Sequence, residues 1–255
     1  MRSVVALAAL TFRDLLRRRV FVILGLFAGL LVLLSFPLRE LTIGQWARLI
    51  TDVGFGATEL SATLVAIFLG ATLIAGDLDK RTLYPLLAKP VSRVHFVLGK
   101  FAGLAMVAVL LTTTMALGTA SMLFLARQHL AGASLLQVAS MVALQACLCG
   151  SIVILFSCFT SSTLAATFAL PIVFLGHMLE NLSFFAHRSH TALAKLVLAA
   201  AQVLPNLEKL NLKTLAARQQ AIPWTDFFAR VGYGAAYIVA LVALGAAIFS
   251  RRDLK

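Results

Sequence analysis

GDLDKRTLYPLLAKPVSRVHFVLGK, residues 76–100, separates two apolar runs, VGFGATELSATLVAIFLGATLIA at 53–75 and FAGLAMVAVLLTTTMALGTASMLFLA at 101–126. Each run is long enough to cross a bilayer as a helix, which takes roughly 17–25 residues. The segment between them carries five Lys/Arg, two Asp and two Pro. Because the runs are continuous rather than alternating, helices are predicted and barrel strands are not. A helix satisfies its own backbone groups where lipid offers no water.

Working outward, four more runs qualify, at 20–38, 135–159, 164–185 and 231–250. The prediction is an all-α polytopic membrane protein with six transmembrane helices in a single domain, residues 1–255. Composition agrees: the chain is 61% apolar with mean hydropathy +0.96, against roughly 45–50% apolar in soluble domains. The formal net charge is +12. On a soluble chain that would suggest nucleic acid. Here the cations flank apolar runs, so lipid headgroups and membrane orientation account for them, and no nucleic-acid partner is expected.

Counting those cations orients the chain. Residues 1–19, 76–100 and 251–255 carry five, five and three Lys/Arg, whereas 39–52 and 127–134 carry two and one. The positive-inside rule puts both termini and the 76–100 segment in the cytoplasm of a plasma (inner) membrane protein. The long loop 186–230 carries six and falls outside. Within it TALAKLVLAAAQVL, 191–204, is too short for a comfortable span and reads as a re-entrant or interfacial helix. Trp224 suits the following membrane–water boundary.

Residues 3–19 predict a first, amphipathic helix. Val4, Leu7, Ala8, Phe12, Leu15 and Leu16 are apolar, with Arg13, Arg17, Arg18 and Arg19 charged, a pattern suited to lying along the inner leaflet. The bland alternative is a basic flank that sets topology. This stretch lacks a short apolar core with a small-residue cleavage site, so no cleaved signal peptide is expected. Cys147, Cys149 and Cys158 lie in one apolar run without zinc spacing and read as reduced packing residues.

The 76–100 segment carries helix signals of its own. Asp77 and Asp79 favour the positive end of a helix over 77–87, and Lys89 lies just past its negative end. Leu83, Leu86 and Leu87 give it an apolar edge at i, i+3, i+4 spacing. Pro90 ends it, and Ser92 can cap the helix that continues into the third span. A plain turn needs only a few residues, which favours docking to another protein over a solvated turn.

Gly76, Asp77, Asp79, Thr82 and Leu83, followed by Pro90, Arg93, Gly99 and Lys100, together with the six-span layout, resemble the ABC-2 type permeases. The likeness covers nearly the whole chain. It is nearest to permeases with no ATPase domain of their own, such as those of nitrous oxide reductase maturation and of sodium or drug export. It implies that 77–87 is a coupling helix seated in a groove of a separate ATPase subunit. Asp77, Asp79, Lys80, Arg81, Thr82, Leu83, Leu86, Leu87 and Arg93 are then the docking residues. It further implies two ABC ATPase subunits per complex, with a second copy of this permease or a related one. This chain departs from the family in having Asp77 where Glu is usual, Arg81 where Gly is frequent, and Thr11 where the first helix often carries Glu.

No G-x-x-x-x-G-K-[ST], HExxH or G-x-S-x-G motif occurs, so no catalytic residue and no cofactor are assigned, and ATP and Mg would be bound by the partner. Glu59, with Thr58, Ser61 and Thr63 beside it, is the main intramembrane carboxylate. It reads either as a conduit or dimer-interface residue, or as a boundary carboxylate bonded to neighbouring hydroxyls or Arg48. His177, Glu180 and Asn181 are expected to line a conduit or interface. With His187 and His190 they also admit a metal site, the rarer arrangement. The leading reading is the permease subunit of an ATP-driven exporter. Its rivals are an ion-gradient-driven secondary transporter and an intramembrane metal-dependent enzyme.

Overall fold

The computed structural model describes residues 2–17, 25, 29, 46–79, 92–125, 132–188, 192–218 and 222–251. Every regular element among them is helical: α1 (Arg2–Leu16), α2 (Trp46–Asp79), α3 (Arg93–Leu125), α4 (Gly132–Ser157), α5 (Ser162–His187), α6 (Ala192–Val203), a 3-10 turn (Glu208–Leu210), α7 (Lys213–Ala217) and α8 (Trp224–Arg251). The five long ones, α2, α3, α4, α5 and α8, are apolar and long enough to cross a membrane. The remaining predicted run, 20–38, lies outside the described residues apart from Gly25 and Gly29.

The long helices are not equivalent. α2 and α4 are largely enclosed, whereas most of α5 and α8 stays exposed. The exposed side chains of α5 include Phe168, Phe174, Phe184 and Phe185, and those of α8 include Phe228, Val239 and Leu244. On a soluble protein such surfaces would be a liability; in lipid they are the ordinary outer face of a bundle.

Small residues let the central helices approach. A Cβ at Gly150 of α4 would stand 2.8 Å from Leu104 of α3, and one at Gly70 of α2 would stand 3.3 Å from the same side chain. Leu104 is fully buried in the space those two glycines leave. α1 joins the bundle in the same way. A Cβ at Gly99 would meet Leu7 at 2.7 Å, and one at Gly103 would meet Thr11 at 2.6 Å. Gly99 and Gly103 stand one turn apart on one face of α3 and form the seat for α1. Leu7, Ala8, Thr11 and Leu15 are buried there, while Val5 and Leu10 point outward.

One polar contact ties α4 to the backbone of α2. The Ser157 hydroxyl donates to the Ala71 carbonyl at 3.1 Å and accepts from the Ala75 amide at 2.9 Å. Those two backbone groups are an i, i+4 pair, the pairing of the helix ladder itself. Ser157 therefore fixes α2 and α4 at one height, one turn from Gly76 and Asp77.

Candidate functional site

Two polar assemblies stand out on α2, one at its C-terminal end and one nearer its middle. Asp77 and Glu59 are 18 residues apart, about 27 Å along a helix at ~1.5 Å per residue. That is close to the ~30 Å thickness of a hydrocarbon core.

The first assembly gathers the foot of the 76–100 segment. Ser92 caps α3: the His95 amide donates to its hydroxyl at 3.3 Å, and the Phe96 amide donates to its carbonyl at 3.1 Å. Arg93 donates to the Ser250 carbonyl of α8 at 3.1 Å. Asp77 lies 2.5 Å from the Lys100 ammonium, and the two side chains keep only 24% and 10% of their surface exposed. Lys100 also sits 5.5 Å from the centre of the Phe96 ring, and Phe96 stacks on Phe249 of α8 at 5.8 Å. Asp77 and Arg93 thus have partners inside the bundle. Asp79 ends α2. Its side chain, together with Lys80, Arg81, Thr82, Leu83, Leu86 and Leu87, lies outside the described residues.

The second assembly surrounds Glu59. Gln145 of α4 donates to Glu59 Oε1 at 2.7 Å, and His177 Nε2 of α5 lies 3.0 Å from the same oxygen. Lys213 of α7 ion-pairs with Oε2. His177 Nδ1 is 2.9 Å from the Val173 carbonyl, and its Nε2 is 2.8 Å from Gln145 Nε2. The Nδ1 hydrogen is committed to that carbonyl. A neutral His177 therefore accepts from Gln145, and only an imidazolium donates to Glu59. Glu59 is itself buried, so one carboxylate links α2, α4, α5 and α7.

The loop after α5 reaches this position by folding back on the bundle. The Leu207 amide donates to the Gly176 carbonyl at 3.0 Å. A Cβ at Gly176 would stand 3.0 Å from both Leu207 and the Pro205 carbonyl. Asn206 and Asn211 then close Asx turns onto the Glu208 and Lys213 amides, which sets up the 3-10 turn and the start of α7. Lys213 is delivered to Glu59 by this fold-back.

Glu59 and His177, each expected from the sequence to line a conduit or interface, therefore meet. Thr63 is buried one turn further along α2. Arg48 does not reach Glu59; it pairs with Asp52 at 3.9 Å. Thr58 is spent on its own helix, donating to the Gly54 carbonyl at 2.7 Å. Glu180 lines a separate cavity of about 1160 Å³ that also takes in Glu208, Asp226, Arg230 and Tyr233. Asn181 is exposed. His187 contacts the Ser183 carbonyl of its own helix at 2.7 Å, and His190 lies outside the described residues. No group of three or more metal-ligating side chains occurs among the described residues. Gln145 and Lys213 were not singled out in the sequence. A Gln within an apolar run is a signal for the first, though Gln137 shares it; the second depends on a fold-back that no local pattern encodes.

The family model described as ABC-2 family transporter protein matches residues 5–254. The chain belongs to that family. No curated protein matches it. This ABC-2 permease is a multi-pass membrane protein and a membrane subunit of an ABC transporter, and membership implies a partner ATP-binding subunit.

Proposed function

We propose that this ABC-2 permease exports its substrate by coupling ATP hydrolysis on two separate ATPase subunits to movement of its own spans. The working unit is a homodimer, or a pair with a related permease, in the inner membrane with both termini in the cytoplasm. The segment that docks in the ATPase is 77–87, whose first residues are not a new helix start but the end of α2 at Asp79, with Leu83, Leu86 and Leu87 as its apolar edge and Asp79, Lys80 and Arg81 as its polar contacts. ATP and Mg are bound by the partner, and this chain carries no catalytic residue.

The observation that supports this best is the anchoring of both feet of the charged segment. Asp77 is paired with Lys100 on α3, and Arg93 is bonded to the Ser250 carbonyl on α8. A turn that merely solvated two helix ends would need no such ties. A segment that receives force needs both feet held, so that its movement shifts the spans between two states. Glu59 and His177, with Gln145 and Lys213, then hold three spans, well inside their ends, and the folded-back loop in one arrangement.

The test is the double substitution L83D/L86D. Two buried carboxylates in an apolar groove should detach the ATPase, because an unpaired charge removed from water is strongly disfavoured. The permease should still insert. Co-purification from detergent reads the result, and an unchanged yield of ATPase counts against docking.

A further inference from the structure

We infer that Lys100 is the positioning residue that carries motion from the docking segment into the bundle, an inference that rests on the docking reading above. The first three turns of α3 are a junction. Lys100 holds Asp77 of α2 at 2.5 Å. Arg93 holds the Ser250 carbonyl of α8 at 3.1 Å. Phe96, under the Lys100 ammonium, stacks on Phe249 of α8. Gly99 and Gly103, on the adjoining face, take Leu7 and Thr11 of α1 with no room for a side chain.

Three other helices therefore meet the same short stretch, and one of its two cations, Lys100, is buried. Lys is among the residues least often buried, and a buried ion pair contributes little to stability compared with apolar side chains of the same size. A Leu or Met at 100 would pack against Phe96 as well. What a Leu cannot supply is a directional link to the carboxylate at the foot of the docking segment. With that link, displacement of residues 80–91 reaches α2 and α3 together. The Phe96–Phe249 stack and the Arg93 bond pass it to α8, and Ser157 on the Ala71–Ala75 pair passes it to α4. Lys100 touches neither ATP nor substrate in this account. Its contribution is to make the cytoplasmic ends move as one body.

The experiment uses the permease reconstituted in liposomes with its partner ATPase. An exposed reporter, Phe228→Cys, is placed near the far end of α8 (Phe228 is 64% exposed). The rate of maleimide labelling is measured with and without ATP. In the otherwise unchanged chain the two rates should differ. K100M should retain the partner on co-purification and retain its ATP hydrolysis, yet its ATP-dependent rate ratio should fall about fivefold, the low end of ordinary coupling between sites. K100R, which keeps the pair with Asp77, should keep the ratio. If K100M is not recovered from the membrane, K100Q carries the same prediction. An unchanged ratio in K100M, or K100R failing as badly as K100M, overturns the inference. So does loss of the ATPase from K100M, which would make Lys100 a docking residue instead. If the unsubstituted permease brings down no ATPase, the docking reading fails, and this inference fails with it.

Discussion

Lys213→Met is the sharpest perturbation of the assembly around Glu59. Methionine keeps the length and apolar stem of lysine and removes the charge, so the loss is confined to the ion pair. Glu59 and Lys213 keep 9% and 26% of their side-chain surface exposed. Removing one partner of a buried pair typically costs ~3–5 kcal/mol, because the other charge is stranded. Here Gln145 and His177 still contact Glu59 Oε1, which favours the low end, about 3 kcal/mol. Glu59→Gln strands a lysine that can still turn toward water, and should cost about 1.5 kcal/mol, the scale of one lost charge-assisted hydrogen bond. The double variant E59Q/K213M leaves neither charge unpaired. Its loss should therefore fall short of the sum by about 1.5–3 kcal/mol, within the range found for directly contacting groups. Reversible unfolding in mixed detergent micelles supplies all four free energies. Additivity to within ~0.5 kcal/mol would refute the claim that Lys213 and Glu59 act on each other.

Gly103→Ala should separate α1 from α3, since its Cβ meets Thr11 at 2.6 Å and the Ala8 carbonyl at 3.0 Å. The expected loss is about 1–3 kcal/mol, the usual range for overpacking. Thr11→Gly on the same chain should recover part of it, read by protease cleavage near residue 16. Ser157→Ala should cost about 1 kcal/mol, because the Ala71 carbonyl and Ala75 amide remain an i, i+4 pair of the helix ladder without it; a loss above ~3 kcal/mol would show that α2 depends on the Ser157 hydroxyl. Gly176→Ala should push Leu207 and the Pro205 carbonyl away and thereby weaken the placement of Lys213. In the G176A background the Glu59–Lys213 coupling energy should shrink, and an unchanged value would disconnect the fold-back from the pair.

Much of this molecule was legible because lipid imposes a simple rule. Apolar length reports helices, and the runs at 53–75, 101–126, 135–159, 164–185 and 231–250 fall on long apolar helices. The cap at Ser92 and the intramembrane carboxylate at Glu59 were equally readable, each from one residue type in a telling place. Partners were not. Nothing local in the sequence says that Glu59 should pass over Arg48, eleven residues away in the chain, and bind Lys213 instead. That choice follows from the packing of Leu207 on Gly176 and from the two Asx turns. The same holds for Asp77, which reads from sequence as a helix-end charge and is in fact paired across to Lys100. Helix existence is a local property here, whereas ion-pair identity is a property of the whole bundle.

In the proposed mechanism residues 77–93 stand between the membrane helices and a separate ATPase. A structure of the permease bound to its partner ATPase tests it directly. Leu83, Leu86 and Leu87 should be covered by the ATPase on the cytoplasmic side, with Asp77 still paired to Lys100. A complex in which that segment is bare, or lies on the opposite face of the membrane, would contradict it.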